Sequence, residues 1–451
     1  MTTNASPSDA PPRGRILASA SIGNLVEWYD FALYAYSASA IAHAFFPDDD
    51  RVGALLSTLA VFGVSFVLRP VGGLVLGRIG DKVGRKNILS ISVIGMGVCT
   101  VLMGLIPTYA TIGIIAPILL VVTRLGQGFF SGGEYTGAST FLVEHAPANR
   151  RGMWAGISVA TGTIPFAFAG FIVLAFTAMP DAAYDSYGWR IPFLIAGPLA
   201  LVGLYLRLKV DETPQFRAME ASGKIESAPL RTVWKQHRRA VLMVMAIAGL
   251  NSVAMYTMTS YMPTYLQENV GVSASTASVT NSVSVVFVCI LVPIYGRISD
   301  SIGRKKILIT GAVGLVILAV PSFLIMSSGV VGTALVGQFV YAIPFACVAA
   351  VLTTVMCELF PTAVRYSGAS TGYNISYAIF GGTAPFVGQF LVTRTDVLSA
   401  PGFYVAILAL LVVPVAILLP ETYRRQLDDD PAISLSNSAQ LDSTNDTEVV
   451  S

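Results

Sequence analysis

Apolar segments, each about 20 residues long, follow one another along most of the chain. A segment of this length can span the hydrocarbon core of a bilayer as an α-helix. Its apolar residues run continuously and do not alternate with polar ones, which favours helices over the strands of a membrane barrel. Only 12% of the residues are charged, too few to give a chain of 451 residues a polar surface. We therefore predict an all-α membrane protein.

Twelve transmembrane helices are predicted when a 20-residue apolar window is moved along the sequence. The predicted spans are residues 16–42, 52–76, 88–106, 111–141, 152–179, 191–208, 240–266, 274–296, 307–327, 331–357, 366–392 and 400–419.

Polar stretches divide the chain around these spans. Residues 1–15 are expected to form a cytoplasmic N-terminal segment, and residues 209–239 a cytoplasmic central loop. They separate an N-terminal six-helix bundle at 16–208 from a C-terminal six-helix bundle at 240–420. Residues 421–451 are rich in Ser, Asp, Asn and Thr, so we expect a disordered cytoplasmic tail.

The positions of lysine and arginine predict the orientation, because short cytoplasmic loops carry an excess of both. With both termini inside, most of these residues fall in cytoplasmic segments. The external loops then hold Arg51, Arg190 and Arg394, and the spans hold Arg69 and Arg124. We therefore expect both termini in the cytoplasm.

Several function classes lack the residues that they require. The basic residues do not form one patch with aromatic residues, so nucleic-acid binding is not predicted. The histidines lie far apart and the cysteines lie in apolar runs, so neither a metal site nor a cofactor is expected. No run matches a P-loop, and we predict neither ATP hydrolysis nor any other enzymatic activity.

One short loop pattern occurs twice. The pattern G-x-x-x-D-x-x-G-R-K begins at Gly77 after the second span and again at Gly296 after the eighth. A glutamate followed seven residues later by an arginine likewise occurs after the fourth span and after the tenth. These repeats indicate two duplicated halves of six helices each.

The repeated loop resembles the signature of the major facilitator superfamily, and the resemblance covers all twelve spans. Longer runs resemble its metabolite:proton symporter family: GNLVEWYDFALY from Gly23, RPVGG from Arg69, RLGQGFFSGGEYTGA from Arg124 and WRIPFL from Trp189. That family includes permeases for α-ketoglutarate, citrate, shikimate and proline/betaine. The resemblance implies the major facilitator fold in a bacterial inner membrane. It also implies import of a small organic carboxylate or zwitterion with a proton, by alternating access.

The same resemblance implies an inner gate, in which charged loop residues pair across the cytoplasmic face and hold the outward-open state. Glu134 is grouped with them because it lies about 15 Å to the cytoplasmic side of Arg124 along one helix. The expected gate residues are Asp81, Arg85, Glu134, Glu144, Arg151, Asp300, Arg304, Glu358 and Arg365.

Charged residues in mid-membrane mark the expected proton-coupling site. Glu27 lies about 16 Å into the first span, with Asp30 one turn further on the same face. An ionised side chain at this depth costs a few kcal/mol, so it should face a partner or an aqueous cavity. A carboxylate that alternates between an apolar setting and the neighbourhood of Arg124 can take up and release a proton. The alternative is a permanent structural ion pair with Arg124, or polarity that serves helix packing.

Arg124 also suits a substrate carboxylate, because its guanidinium offers parallel donors. The second half has no charged residue in mid-membrane, so we expect it to contribute shape and hydrogen bonds. There, Tyr373 and Tyr377 share a helix face. The expected substrate-binding residues are Arg124, Gln127, Tyr34, Asn251, Tyr256, Tyr373, Asn374 and Tyr377.

Two other functions stay open at this point: a proton-coupled exporter that works as an antiporter, and a membrane receptor that binds a metabolite without transporting it. An osmosensing betaine carrier is less favoured, because the tail lacks the heptad repeat that some relatives carry. The expected partners are the substrate, protons and the lipid bilayer, without nucleic acid, and we expect a monomer.

Overall fold

The computed structural model describes residues 28–47, 50–73, 75–76, 85–132, 139, 142–143, 146–147, 149–177, 179–208, 229–361 and 364–423. Within these ranges, nine helices are long and apolar enough to cross a membrane. Two shorter apolar helices, Ser90–Leu105 and Ile115–Phe130, and the helix at 28–45 account for the other predicted spans. The prediction of an all-α membrane fold is confirmed.

The first half contains helices α1 to α6. Helix α1 covers residues 28–45 with a turn at Ser37. The five helices that follow it are α2 (Arg51–Gly73), α3 (Arg85–Leu105), α4 (Ile115–Phe130), α5 (Arg151–Thr177) and α6 (Ile191–Leu208). Short helices at Tyr109–Ile112, Asp181–Ser186 and Gly188–Arg190 lie in the connections.

The second half contains helices α7 to α12, preceded by a short helix at Pro229–Gln236. Its helices are α7 (Arg238–Glu268), α8 (Ala274–Ile302), α9 (Arg304–Met326), α10 (Val331–Glu358), α11 (Arg365–Ser376 and Ala384–Thr395) and α12 (Ala400–Leu418).

Two helix bounds differ clearly from the hydropathy prediction. Helix α4 begins at Ile115 and not at residue 111, because Gly113 adopts a positive φ of 58° and ends the short helix before it. Helix α8 continues past residue 296 to Ile302 and is ended by Gly303, where φ is 105°. This extension places Asp300 inside a helix, where a hydropathy window predicts a loop.

Two π-helical turns interrupt long helices, at Thr257–Tyr261 in α7 and at Tyr377–Gly381 in α11. A turn of this kind rotates the side chains that follow it and is frequent at functional sites. Apolar patterning does not reveal such turns, and the sequence did not predict them.

Helices α5 and α8 form an extensive contact between the two halves. A Cβ atom on Gly152 would clash with the carbonyl oxygen of Gly296, and one on Gly156 would lie 2.8 Å from the Cα of Pro293. Small residues allow this approach, because association in a bilayer depends on close packing and not on hydrophobic burial. The contact places polar groups of one half beside those of the other.

Candidate functional site

A narrow, nearly closed cleft lies between the two halves, with a cavity volume of about 10 Å³, which is room for about one water molecule. Helices α1 and α5 supply its wall on one side, and α7, α10 and α11 supply the other. The lining residues are Trp28, Val159, Gly162, Thr163, Asn251, Met255, Phe345, Ala349, Leu352, Thr353, Tyr373 and Tyr377. None of these lining side chains carries a charge. The cleft therefore offers aromatic surface and a few polar atoms.

Aromatic and polar atoms meet on the α7–α11 side of the cleft. The rings of Tyr373 and Tyr377 stack with centroids 3.9 Å apart. The Nδ2 of Asn251 donates a hydrogen bond to the Tyr377 hydroxyl at 2.8 Å. The Oδ1 of Asn251 and the Oγ1 of Thr353 are buried and have no hydrogen-bond partner within the described parts of the chain. Buried polar atoms almost always have a hydrogen-bond partner. We therefore expect a water molecule or a ligand to fill that place at these two atoms.

Arg124 lies inside the first half and is fully buried. Its Nη1 donates to the Oε1 of Gln127 at 2.8 Å, and its Nη2 donates to the carbonyl oxygen of Phe62 and the hydroxyl of Ser65, each at 3.1 Å. The guanidinium carbon lies 4.3 Å from the centroid of the Tyr34 ring. Groups of the first half thus occupy both terminal nitrogens.

The predicted residues near Arg124 form a buried cluster with it and bond within the first half. The Tyr34 hydroxyl donates to the carbonyl oxygen of Thr58 at 2.9 Å, and Gln127 donates to Thr100 at 2.7 Å. Asp30 is 2% exposed and lies within electrostatic range of Arg124. Trp28 lines the cleft, and Asp30 sits two residues, or about 200°, further round the same helix. The cluster is therefore adjacent to the cleft and not part of its lining.

Tyr256 connects the cluster to the cleft. Its ring is 5.6 Å from that of Phe62 and 5.3 Å from that of Phe66 in the first half, and 6.0 Å from that of Tyr377 in the second. Asn374, in contrast, donates to the hydroxyl of Ser370 on its own helix and is not among the lining residues. The predicted substrate residues therefore divide between two neighbouring places.

Arg69 is a second buried cation in the first half. Its Nε donates to the hydroxyl of Ser131 at 2.9 Å, and its guanidinium carbon lies 4.9 Å from the Phe31 ring and 5.4 Å from the Trp28 ring. Trp28 therefore has one neighbour in the charged interior of the first half while it also lines the cleft.

Part of the predicted inner gate is a charge network around Arg304. Its guanidinium pairs with Asp300 at 2.8 Å and with Glu358 at 3.2 Å, and all of these residues belong to the second half. Asp300 reaches the other half by accepting hydrogen bonds from the backbone N–H groups of Gly152 and Met153, at 2.8 and 3.0 Å. A carboxylate at the N-terminus of α5 also complements the helix dipole.

Two further predicted gate residues, Arg151 and Arg365, lie within the described part of the chain. Arg151, at the start of α5, lies within electrostatic range of Glu358 across the interface, and Arg365 donates to the carbonyl oxygen of Cys357 at 2.8 Å. The other predicted gate positions lie outside the described residues, namely Asp81, Glu134, Glu144 and the side chain of Arg85, and so does the predicted proton-coupling residue Glu27.

Sequence reasoning did not single out several lining residues. Trp28 lies inside the run from Gly23, and the sequence prediction there rested on the charged residues Glu27 and Asp30. Thr163, Phe345 and Thr353 look like ordinary span residues, and only the packing of α5 against α10 and α11 brings them to the cleft. The position of Trp28 beside Glu27 was the one available signal.

The described residues form twelve long helices in two halves with a cleft between them. The model of the Major Facilitator Superfamily matches residues 20–283, and that of the sugar (and other) transporter family matches residues 215–432. The chain belongs to the major facilitator superfamily, and it is a multi-pass membrane transporter and not an enzyme.

Curated relatives are similar over nearly the whole chain. The ectoine/proline transporter ProP of Corynebacterium glutamicum is 37% identical over 94% of this chain and 91% of its own length. The proline/betaine transporter of Escherichia coli K12 is 35% identical over 92% of this chain and 84% of its own length. Among solved structures, a D-xylose–proton symporter shares the fold with a TM-score of 0.72 at 20% identity, covering 91% of this chain and 99% of its own.

Proposed function

We propose that the protein imports a small zwitterion of the proline or betaine type together with a proton, by alternating access. The names of the relatives support this substrate class. We further propose that it works as a monomer in a bacterial inner membrane, with both termini in the cytoplasm and with the halves at 16–208 and 240–420 moving about the cleft.

Among the residues that the structure describes, the lining of the cleft carries no charge, and this is the observation that carries the proposal. A di- or tricarboxylate bound there would leave buried negative charge without a cation, which is costly in a low-dielectric site. A zwitterion adds no net charge to the cleft, and each of its charged ends can be stabilised by aromatic faces or hydrogen-bond donors. The described lining therefore favours a zwitterion over a di- or tricarboxylate.

The aromatic side chains suit a substituted ammonium group. Alkylated ammonium ions bind to aromatic faces by cation–π attraction, strongest with tryptophan, and Trp28, Tyr373 and Tyr377 offer such faces. The free Oγ1 of Thr353 can donate to a substrate carboxylate. The ammonium end of a betaine or proline molecule thus contacts the aromatic rings, and its carboxylate end contacts the Thr353 hydroxyl.

For proton coupling we propose Asp30 and Glu27, with Arg124 as the charge that tunes them. Asp30 is buried within electrostatic range of Arg124, and Tyr256 packs between this cluster and the cleft. A shift of Tyr256 on substrate binding would change the surroundings of Asp30. Loading of the cleft and protonation of a carboxylate would in this way depend on each other.

Competition and one paired substitution test the substrate class. In proteoliposomes, unlabelled glycine betaine or proline should suppress uptake of labelled glycine betaine, whereas succinate and citrate should not. Trp28→Leu should raise KM about tenfold, because a desolvated cation–π contact contributes on the order of 1–2 kcal/mol.

Tyr265→Phe is the matched control for that substitution, because Tyr265 is fully buried away from the cleft and packs its ring 5.1 Å from that of Phe323. Its KM should stay unchanged. Equal competition by citrate, or an unchanged KM in Trp28→Leu, would contradict the proposed site.

A further inference from the structure

A second cavity, of about 400 Å³, opens where α1 ends and α2 begins, the face expected to be external. Ser39 and His43 from α1, Arg51 from α2 and Glu268 from the end of α7 lie around it. Ser39 lies about 16 Å from Trp28 along α1, since a helix rises 1.5 Å per residue. We call this cavity the vestibule, and it is separate from the central cleft.

Glu268 joins the two halves across the vestibule. Its Oε2 pairs with the Nη2 of Arg51 at 3.1 Å, and its Oε1 accepts a hydrogen bond from the hydroxyl of Ser39. The side chain of Arg51 is 66% exposed, whereas that of Glu268 is 14% exposed. An ion pair with one partner this exposed contributes only about 0–1 kcal/mol, so another pair of charges can replace it at little cost.

We propose that the vestibule is a second binding site for the zwitterionic substrate, with Arg51 binding its carboxylate and Glu268 its ammonium group. The inference rests on the proposed zwitterionic substrate. A zwitterion carries both a negative charge for Arg51 and a positive charge for Glu268. A simple cation or anion carries only one of them. Binding exchanges one weak ion pair for a charge-assisted hydrogen bond between Arg51 and the carboxylate and a Coulombic contact between Glu268 and the ammonium group, which needs no N–H donor.

The same exchange loosens the contact between the halves. When the ammonium group takes the place of Arg51 and Ser39 at Glu268, α7 loses its hydrogen-bonded partners on α1 and α2. The substrate then favours opening of this face by binding more tightly to the open arrangement than to the closed one. Substrates without both charges leave the Arg51–Glu268 pair in place.

Protection of an introduced cysteine tests the site directly. His43→Cys places a thiol on an exposed vestibule residue that is neither of the proposed ligands. Its modification by a methanethiosulfonate reagent is followed by mass spectrometry at that position, on full-length protein in nanodiscs, so that both faces are accessible. Glycine betaine at ten times its dissociation constant should slow modification about tenfold, by simple occupancy. Choline, which lacks the carboxylate, should slow it far less.

Three variants in the His43→Cys background decide the outcome. Protection should be lost with Glu268→Gln and with Arg51→Gln, and it should persist with Trp28→Leu, which alters the central cleft and none of the vestibule residues. Protection that survives Glu268→Gln, or that disappears with Trp28→Leu, would overturn the vestibule site, as would equal protection by choline. Failure of the proposed function is a separate result, because it would appear as citrate competition in uptake.

Discussion

Arg124 illustrates how a residue can be located from sequence while its contacts cannot. Its depth in the fourth span was predictable from hydropathy, and the helix places it there. Its partners Ser65 and Phe62 belong to α2, and nothing in their sequence marks them as acceptors for a guanidinium. The predicted carboxylate clamp stays a prediction, and the internal bonds give Arg124 a second role in holding α2 against α4.

Replacing Arg124 by lysine separates these two roles. A lysine ammonium keeps the charge but cannot reach Gln127, Ser65 and the Phe62 carbonyl together. Each lost bond to a charged group costs about 1.5–3 kcal/mol, so the thermal midpoint should fall while the binding of glycine betaine changes little. Calorimetric binding and thermal unfolding in detergent measure both quantities. Weakened binding with an unchanged midpoint would instead support the clamp.

Asp30 carries the prediction for coupling. Asp30→Asn keeps the size of the side chain but cannot take up a proton in the relevant range, so accumulation driven by a pH gradient should be lost. Exchange of labelled for unlabelled substrate needs no net proton movement and should continue. Uptake and counterflow in the same proteoliposomes measure the two activities.

Asp396→Asn is the control for this substitution, because Asp396 is exposed in a loop with φ of 55°, which asparagine also tolerates. It should accumulate substrate normally. If Asp30→Asn also accumulates substrate against its gradient, the proton site is elsewhere, and Glu27→Gln becomes the next variant to test.

At the scale of helices, the sequence predicted that the transmembrane helices exist and where they approximately begin and end. A continuous apolar run of about 20 residues rarely folds as anything but a transmembrane helix. It did not predict the π-helical turns at Thr257–Tyr261 and Tyr377–Gly381. Such turns depend on local packing and leave the hydropathy unchanged. The cleft residues Phe345 and Thr353 were missed for a related reason, since only the assembled helices reveal which face of α10 lines the cleft.

The contact between α5 and α8 gives a prediction for gating. In Gly152→Ala, the new methyl group would clash with the carbonyl oxygen of Gly296 and lie 2.6 Å from the Ser299 hydroxyl. The helices must then separate at this face, so the maximal rate of uptake should fall several-fold while KM changes little. Gly332→Ala is the matched control, because a Cβ there meets no atom within 4 Å. A normal maximal rate in Gly152→Ala would show that transport does not depend on close packing of α5 against α8.

Asp300 offers an independent probe of the same face. Asp300→Ala removes the acceptor of the Gly152 and Met153 N–H groups and one partner of Arg304. Loss of the acceptor at the start of α5 costs about 1 kcal/mol, and loss of one carboxylate from the buried Arg304 network adds to this cost, which weakens the closed state of this face relative to the open one. Initial-rate measurements should show a lower maximal rate with nearly unchanged KM. A raised KM at full maximal rate would indicate instead that Asp300 acts on substrate binding.

At the scale of the whole molecule, the parts of the two halves that the structure describes touch at both faces. Gly152 and Met153 meet Asp300 at one face, and Ser39 and Arg51 meet Glu268 at the other. The central cleft lies between these contacts and is nearly closed. Alternating access requires that each contact breaks while the other holds.

Coupled uptake by the purified protein tests the central proposal most directly. Proteoliposomes that contain the protein are given labelled glycine betaine and an inwardly directed proton gradient, with external pH recorded at the same time. We expect accumulation above the external concentration, with the external medium becoming more alkaline as substrate enters. Both signals should be abolished by collapsing the gradient with a protonophore. Accumulation that persists without the gradient, or no entry of glycine betaine and proline while a dicarboxylate enters, would contradict the account.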